Sequence, residues 1–595
     1  MFHLIKQVYS ILTTKERRKL ILLLFLMVGL AGMELVGVGS IFYYIDLLAH
    51  QDTVESHAVF GEIYRYFGFT ELRYFFLALG GVVFLIMVVR GILSALNLYA
   101  RARFTMHLRN RLASSVLASY VYAPYEKTLS RHSAVLSKNI LVEVGNVVSC
   151  TAQTLLLTTE IIVAVVLTAT MFLVEPELTI GIAGVLGTLL VIIIVKTRKR
   201  ISSIGKQVEA CNAGMYKSAA HALQGMKEIK AYRVERAFKK AFDIPLYLSS
   251  RLAVHYELLS GFPGVIVNLI AFGMLLFVLL YLIFTKGSLV EALPLIAAIG
   301  VALQRLLPSV YKIYSAVGLI RKYEPAIKIV KGVVEEGKRN VVREDSELAP
   351  LRLERELELR KVQYAYPGAE KNALEDVSLK IKKLSCVGIV GSSGVGKSTL
   401  VDVLLGLLPP SGGEILCDGK MLEDDEKEAF QRMVGYVPQQ TYLLDDSLAA
   451  NIAFGVSEKN IDRERVREVL KLAQLEDHVR SLPEGMDTMV GERGAKFSGG
   501  QRQRIGIARA LYRDPEIIVM DEATNALDLE TEQEFLESMK SLLGKKTLII
   551  IAHRLSSLNI CDTFVVLKAG RVDMVGTLED VRNKQEGEGG LQLFS

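Results

Sequence analysis

Long apolar runs, all of them in the first half of the chain, place the strongest limit on how it can fold. A transmembrane helix needs roughly 20 consecutive apolar residues, and the run from Leu20 to Leu48 exceeds that length. Further apolar runs lie within residues 73–100, 139–173, 178–195, 247–285 and 289–319. We therefore predict an α-helical membrane domain of about six spans over residues 1–325.

Basic residues at the ends of the apolar runs predict the orientation of this domain. Segments on the cytoplasmic side of a membrane carry an excess of Lys and Arg. Such residues stand before the first run and after the fourth, at Lys15, Arg17, Arg18, Lys19, Lys196, Arg198, Lys199 and Arg200. We therefore expect both ends in the cytoplasm and two long intracellular loops, which turn near residues 122–132 and 231–236. Because the basic residues follow the membrane segments, we expect no nucleic-acid partner.

Ionisable residues interrupt the apolar runs, and among them Glu34, Arg90 and Arg305 are the candidates for a substrate site. Charges at membrane depth are rare and usually face a cavity, a partner or a substrate. In one interpretation, the two arginines face an anionic substrate and Glu34 faces the same cavity. In the other, Glu34 packs as a neutral group beside small residues, and Arg305 forms an ion pair with Glu34 or Glu160. The sequence leaves both open.

Two amphipathic segments flank the first apolar run. Residues 1–12 have the apolar spacing of a helix that lies on the membrane surface. Residues 51–71 carry aromatic and aliphatic residues at helical spacing, which predicts a short amphipathic helix at the outer surface. This outer helix is interpreted either as a capping segment or as part of a ligand site.

The second half of the chain contains a phosphate-binding loop. The pattern G-x-x-x-x-G-K-[ST] is matched, with one residue beyond it, by Gly391, Ser392, Ser393, Gly394, Val395, Gly396, Lys397, Ser398 and Thr399. The apolar residues 387–390 predict a buried strand before the loop, and residues 400–408 predict a helix after it. Backbone N–H groups and the helix N-terminus favour a phosphate chain. Lys397 is expected to reach the β- and γ-phosphates and Ser398 to ligate Mg²⁺, so ATP and Mg²⁺ are the predicted cofactors.

Four further residues are candidates for purine binding and hydrolysis. Tyr366 precedes the loop by about 25 residues and is placed to stack on a purine; the alternative is a core tyrosine at a strand end. Asp521 ends the apolar strand 517–520 and is predicted to hold Mg²⁺. Glu522 is predicted to polarise the attacking water. Gln439 follows another strand and is placed to contact both metal and water.

A second phosphate-binding element is predicted more than 100 residues after the loop. Ser498, Gly499, Gly500 and Gln501 precede a helix predicted over residues 502–512, whose N-terminus can face phosphate. Asp528 follows further along the chain. His553 follows the strand 548–551, where an imidazole can contact a γ-phosphate.

In this order, the motifs resemble the Walker A, Q-loop, signature, Walker B, D-loop and switch histidine of ABC transporters. The resemblance covers the whole chain, because the first half is similar to the membrane domain of half-size ABC exporters. It implies a helical transmembrane domain over residues 1–325, a charged linker over 326–350 and an α/β P-loop nucleotide-binding domain over 351–595. Two positions depart from the usual pattern without removing a catalytic group: Phe497 replaces Leu, and Asn525 replaces Ser.

The resemblance also implies a mechanism and a location. ATP hydrolysis is coupled to transport, and each ATP is held between the P-loop of one chain and Ser498–Gln501 of another. A dimer is therefore expected, with a homodimer as the simplest case and a heterodimer with a degenerate partner as the alternative. The expected location is the inner (plasma) membrane, with the nucleotide-binding domain in the cytoplasm.

The substrate is indicated by a looser resemblance to bacterial flippases for lipid-linked oligosaccharides. It depends on Glu34, Arg90, Arg305 and the outer segment 51–71, and it implies a lipid-linked oligosaccharide or a similar anionic amphipathic lipid. One alternative is an exporter of drugs, other lipids or peptides. The other is an ATP-gated channel or regulatory subunit, which is expected to lose catalytic groups or to gain a regulatory insert; the sequence shows neither.

Overall fold

The structure is a computed structural model of the 595-residue chain. It describes residues 9–51, 54, 57, 59–69, 71–129, 131, 133–174, 176–286, 289–339, 351–423, 426–522, 536–537, 539–551 and 559–587. Most side chains between 271 and 302, and a few at other helical positions, lie outside this description. The chain divides into two compact units, one of residues 1–123 with 127–342 and one of residues 124–126 with 343–595.

Helices make up the described secondary structure of residues 9–339. In chain order they are α1 (Thr14–Ala49), α2 (Phe60–Tyr66), α3 (Leu72–Val121), α4 (Tyr125–Leu129), α5 (Ser133–Lys138), α6 (Val144–Val174), α7 (Pro176–Gln224), α8 (Met226–Tyr232), α9 (Glu235–Lys286) and α10 (Leu289–Arg339). A π-helical turn, Asn139–Glu143, joins α5 to α6. The outer amphipathic helix expected within residues 51–71 corresponds to α2.

Five helical stretches in the described part of the chain are long and apolar enough to cross a membrane. They are Thr14–Ala49, Leu72–Val121, Ser133–Leu173, Pro176–Thr197 and Glu235–Met274. This confirms the predicted helical membrane region. The sixth predicted span lies in α10, and most of its first side chains are outside the described residues, so the count of six stays a prediction.

The N-terminus of α1 shows how local sequence starts a membrane helix. Thr13 is the N-cap residue, and its hydroxyl accepts a 3.3 Å hydrogen bond from the backbone N–H of Glu16. The Glu16 carboxylate in turn accepts a 2.8 Å bond from the Thr13 N–H. This capping box satisfies two N–H groups that have no partner inside the helix.

The core of this unit lies where α1, α3, α6 and α10 pack together. Its fully buried side chains include Met27, Leu112, Val116 and Val330. Residues 326–339, which the sequence analysis assigned to the linker, continue α10 as helix. Residues 340–350 of that predicted linker lie outside the described part of the chain.

The second unit contains two sheets with helices packed against them. Its strands are β1 (Glu356–Tyr364), β2 (Leu374–Lys382), β3 (Cys386–Val390), β4 (Gly412–Cys417), β5 (Lys420–Met421), β6 (Val434–Val437), β7 (Ile517–Asp521), β8 (Thr547–Ile551), β9 (Thr563–Lys568) and β10 (Arg571–Gly576). Its described helices are α11 (Lys397–Leu404), α12 (Lys427–Arg432), α13 (Leu448–Ile452), α14 (Arg463–Leu472), α15 (Glu476–Ser481), α16 (Gly499–Tyr512) and α17 (Leu578–Gly587).

The six-stranded sheet, of order β10-β9-β3-β8-β7-β6, brings the predicted motifs to one edge. Strands β9, β3, β8, β7 and β6 are parallel to one another, and the edge strand β10 is antiparallel to β9. A smaller antiparallel sheet has the order β2-β1-β4-β5. In parallel sheets of this kind, ligands bind beyond the carboxyl ends of the strands. The P-loop follows β3, Gln439 follows β6, and Asp521 ends β7.

Candidate nucleotide-binding site

The P-loop needs glycine at two positions because neighbouring backbone approaches closely. A Cβ atom on Gly391 would lie 2.6 Å from the carbonyl oxygen of Leu567. A Cβ atom on Gly396 would lie 2.6 Å from the carbonyl oxygen of Ala373, and the φ of Gly396 is +107°. Gly394 has a φ of +78° but open space around it. The loop therefore combines tight packing at its ends with an open middle.

Lys397 begins α11 and turns its side chain back into the loop. Its Nζ donates hydrogen bonds to the carbonyl oxygens of Gly391, at 2.6 Å, and Ser392, at 3.1 Å. Burial lowers the pKa of Lys397, and the nearby carboxylates of Glu522 and Asp521 act in the opposite direction. The ammonium group is thus held among backbone groups at the place where the motif is expected to bind phosphate.

Ser398 and Thr399 occupy the first turn of α11 and differ in exposure. Ser398 is exposed, as a hydroxyl available to a metal ion must be, whereas Thr399 is buried. The Thr399 hydroxyl lies 3.1 Å from the hydroxyl of Tyr366. The Tyr366 ring is partly buried and packs edge-to-face on Tyr364, with 5.1 Å between ring centroids. Tyr366 is therefore fixed beside the P-loop helix, and its stacking on a purine stays a prediction.

Gln439 and Glu522, which come from different strands, are in direct contact. The Gln439 Nε2 donates a 2.6 Å hydrogen bond to the Glu522 Oε2. Glu522 has a φ of +49°, and its backbone N–H donates to the carbonyl oxygen of Ile551 at 2.9 Å. A non-glycine residue at positive φ is uncommon and costs free energy. This backbone turn directs Glu522 away from the line of β7, directly after Asp521.

Asp402, on α11, belongs to this region, although it is part of none of the predicted motifs. Burial raises the pKa of the Asp402 carboxyl to about 6, and the negative charge of Asp521 adds to the effect. The available signal was a single acidic residue within the otherwise apolar stretch from Leu400 to Leu405. Its proximity to Asp521 depends on the packing of α11 against the sheet, which the sequence pattern does not specify.

The signature segment begins a helix earlier than predicted. Ser498 is the N-cap of α16, and its hydroxyl accepts a 3.3 Å hydrogen bond from the Gln501 N–H. The Gln501 side chain accepts a 2.8 Å bond from the Ser498 N–H. The expected start at Arg502 is wrong, because this capping box places Gly499, Gly500 and Gln501 in the first turn. Their N–H groups form the helix N-terminus that was expected to face phosphate.

Two predicted site residues lie outside the described part of the chain. Asp528 falls in the undescribed range 523–535 and His553 in 552–558. Their predicted roles, in the D-loop and as the switch histidine, stay predictions.

The three charges predicted within the membrane region meet at one point. Glu34 is buried, with 1% of its surface exposed. Its Oε1 pairs with the Nη2 of Arg305, and its Oε2 lies 2.9 Å from the Nε of Arg90. Both arginine side chains stay partly exposed. A Cβ atom on Gly37, one turn after Glu34, would lie 3.3 Å from the Cε of Met87 and at an ordinary contact distance, 3.6 Å, from the Cδ of Arg90. The ion pair with Glu34 considered for Arg305 is present, and Arg90 shares it.

Comparison with known protein families establishes the family of this chain. Residues 374–525 match the family model "ABC transporter", and residues 20–289 match the model "ABC transporter transmembrane region". A heterocyst differentiation ATP-binding protein, HepA, of Nostoc sp. is 30% identical over 425 residues, which cover 71% of this chain and 68% of that protein. The chain belongs to the ABC transporter family. This confirms the predicted family, the predicted fold class and the predicted ATPase domain.

Two further similarities place the transporter among its relatives. An ATP-dependent lipid A-core flippase of Alkalilimnicola ehrlichii is 33% identical over 396 residues, covering 66% of each chain. A solved structure entitled "Structure of a bacterial Atm1-family ABC exporter with ATP bound" aligns with a TM-score of 0.76 and 23% identity, over 96% of this chain and 97% of that one. At that identity the likeness establishes the fold. Some matches are shorter: one to a lipid A-core flippase of Ralstonia nicotianae spans 39% of that protein.

Proposed function

We propose that this ABC transporter is an ATP-driven flippase that moves an anionic amphipathic lipid, such as a lipid-linked oligosaccharide, from the inner to the outer leaflet. The observation that carries the proposal is the group formed by Glu34, Arg90 and Arg305, which we call the upper tier. The flippase named among the relatives supports a lipid as the substrate. We propose the inner (plasma) membrane as the location, with the nucleotide-binding domain in the cytoplasm.

The upper tier suits an anion because its charges do not cancel. Two guanidinium groups face one carboxylate, so one positive charge is left over in a region of low dielectric constant. An unbalanced charge there is costly unless a counter-charge approaches it. A phosphate-bearing headgroup supplies that counter-charge, and the guanidinium groups provide the planar donors that phosphate oxygens accept.

Each chain contributes one P-loop and one signature helix, and we propose that two chains, in the simplest case identical, form two ATP sites. In each site Lys397 supplies positive charge to the phosphates, and the first turn of α16 from the other chain supplies N–H donors. Oxygen ligands suit Mg²⁺, and we propose that Ser398, Asp521 and Gln439 supply them. Bound Mg²⁺ neutralises charge on the phosphate oxygens.

Within this site the contact between Gln439 and Glu522 orients the carboxylate that accepts a proton from the attacking water. The 2.6 Å hydrogen bond fixes one carboxylate oxygen of Glu522, and we propose that the carboxylate acts as the general base toward the water. We further propose that His553 contacts the γ-phosphate and that Asp528 lies at the contact between the two nucleotide-binding domains.

Transport by the purified transporter in proteoliposomes tests the lipid proposal. A fluorescent lipid-linked oligosaccharide is compared with an uncharged hydrophobic dye, for the unaltered chain and for the double variant R90Q/R305Q. We expect the variant to move much less of the glycolipid for each ATP hydrolysed. Transport of the glycolipid at the unaltered ratio, or transport of the dye in preference to the glycolipid, would contradict the proposal.

A further inference from the structure

A second buried carboxylate in the membrane unit is, like Glu34, paired with a cation on α10. Glu160, on α6, has 5% of its surface exposed. Its Oε1 lies 2.8 Å from the Nζ of Lys312, and its Oε2 accepts a 2.7 Å hydrogen bond from the hydroxyl of Ser309. Arg101, on α3, is close enough to interact electrostatically with Glu160. We call this group, together with Asn97, the lower tier.

The cations of the two tiers are on the same two helices, whereas Glu34 is on α1 and Glu160 is on α6. Arg90 and Arg101 are both on α3, and Arg305 and Lys312 are both on α10. Separations of 11 and 7 residues return to nearly the same face of an α-helix. At about 1.5 Å per residue the tiers are roughly 10 to 16 Å apart along the helices. Each tier therefore combines one carboxylate with one cation on α3 and one cation on α10.

The lower tier contains polar atoms that have no partner in the described part of the chain. Asn97 has 1% of its surface exposed, and neither its Nδ2 nor its Oδ1 finds a hydrogen-bond partner there. The Nε of Arg101 is likewise buried without a partner among the described residues. Burying an amide without a hydrogen-bond partner costs free energy. Asn97 is seven residues after Arg90 and four before Arg101, so it shares the face of α3 that carries both arginines.

We propose that the lower tier is a second anion-binding station, which receives the phosphate-bearing headgroup before the upper tier does. Arg101 and Lys312 against Glu160 leave one positive charge, as in the upper tier, and Asn97 offers unpaired donors and an acceptor. The station is nearer the end of α3 where Arg103, Arg109 and Arg111 follow, which the charge pattern assigns to the cytoplasm. This inference rests on the proposed anionic lipid substrate.

Lipid binding by charge variants of the lower tier tests the station. Two single variants and the double variant give the tier three different net charges. The full-length transporter in nanodiscs, without nucleotide, is titrated with a fluorescent polyprenyl diphosphate and with the corresponding uncharged alcohol. K312Q removes the net positive charge, E160Q doubles it, and E160Q/K312Q restores it. We expect the Kd for the diphosphate to rise about tenfold in K312Q, to fall in E160Q and to stay near the original in the double variant.

Three comparisons separate binding from folding. K312R should restore the affinity, since it restores the charge. K331Q is the matched control, because Lys331 is on the same helix and pairs loosely with Glu335, at 3.7 Å, where both side chains are exposed; its affinity should not change. Affinity for the alcohol should be the same in every variant.

The outcomes distinguish this inference from the proposed function. If R90Q/R305Q weakens diphosphate binding while K312Q and E160Q leave it unaltered, the lower tier is not a binding station and the flippase proposal survives. If variants of neither tier affect diphosphate binding, the anionic substrate itself is wrong. Equal weakening by K312Q and E160Q would show that Glu160 and Lys312 serve only the fold.

Discussion

The side-chain amide of Gln439 donates a 2.6 Å hydrogen bond to the carboxylate of Glu522, joining residues 83 positions apart in the chain. The contact is possible because β6 and β7 are parallel neighbours, with Val437 opposite Met520. Both side chains follow the carboxyl ends of these strands, within two residues of those pairs. The proposed water-activating carboxylate is thus oriented by a neighbouring loop, and a change in that loop is expected to affect hydrolysis directly.

Replacing Glu522 with Gln is expected to stop hydrolysis and to trap bound ATP. The amide keeps the shape of the side chain but is a far weaker base, so ATP turnover should fall roughly 100-fold or more. Phosphate release and retention of labelled ATP by the reconstituted transporter measure the effect. E484Q, at an exposed position, is the control. Undiminished turnover in E522Q would remove Glu522 from its proposed role.

Replacing Asp402 with Asn is expected to stabilise the nucleotide-binding domain at neutral pH. The pKa of Asp402 is raised from 3.8 to about 6 by burial and by Asp521. The folded state therefore binds the proton more tightly than the unfolded chain, and stability falls as pH rises from 3.8 to about 6. Since the side chain is only partly buried, D402N should recover only about 1–2 kcal/mol above that range.

Thermal unfolding of the nucleotide-binding domain within the full chain, at several pH values, measures this effect. The difference between D402N and the unaltered chain should be small at low pH and should grow to a plateau above pH 6. D445N, at an exposed aspartate, should follow the unaltered chain throughout. A constant difference at all pH values would show that charge at Asp402 is not its cause.

Alanine at Gly396 is expected to weaken ATP binding much more than alanine at Gly394. Both glycines have positive φ, which costs an alanine roughly 1–2 kcal/mol. Only at Gly396 would the new Cβ also meet a backbone oxygen, that of Ala373 at 2.6 Å. Titration with a fluorescent ATP analogue should therefore show a loss of tenfold or more for G396A and a smaller one for G394A. Equal losses would show that packing at Ala373 does not shape the loop.

Two substitutions at Ser498 are expected to separate helix capping from nucleotide contact. S498A removes the N-cap hydrogen bond and should cost about 1 kcal/mol of stability. S498D keeps a good N-cap but places a negative charge where phosphate is proposed to bind, so stability should stay while ATP turnover falls. Melting temperature and ATPase rate are measured together. Normal turnover in S498D would argue against ATP bound at the signature helix of a second chain.

The parts of the site that the sequence predicted are those encoded by short, local patterns. Consecutive residues are enough to recognise each of them: the P-loop from Gly391 to Thr399, the strand ending at Asp521 and the apolar membrane runs. The start of α16 was placed three residues late, although the Ser498-x-x-Gln501 pattern of a capping box was present. Glycines favour loops, but here the hydrogen bonds between Ser498 and Gln501 start the helix before Arg502.

The sequence alone does not predict which distant segments of the chain contact each other. Glu34 and Arg305 are 271 positions apart, and their pairing depends on how α1 and α10 pack. The sequence named Glu160 only as another possible partner of Arg305, whereas Glu160 pairs with Lys312. The closeness of Asp402 and Asp521 likewise depends on the strand order, because β7 is separated from β3 by β8. Periodicity shows which face of a helix is polar but not which helix lies opposite.

The π-helical turn Asn139–Glu143 sets the angle at which α5 enters α6. A π-helical turn contains one residue more than an α-helical turn, and α-helical residues are about 100° apart around the axis. Lys138, directly before the turn, and Glu143, at its end, are both buried, and the Nζ of Lys138 lies 3.0 Å from the Oε1 of Glu143. Deleting a single residue there would rotate α5 by about 100° relative to Glu160 and separate Lys138 from Glu143. The length of this short segment is therefore as specific as its composition.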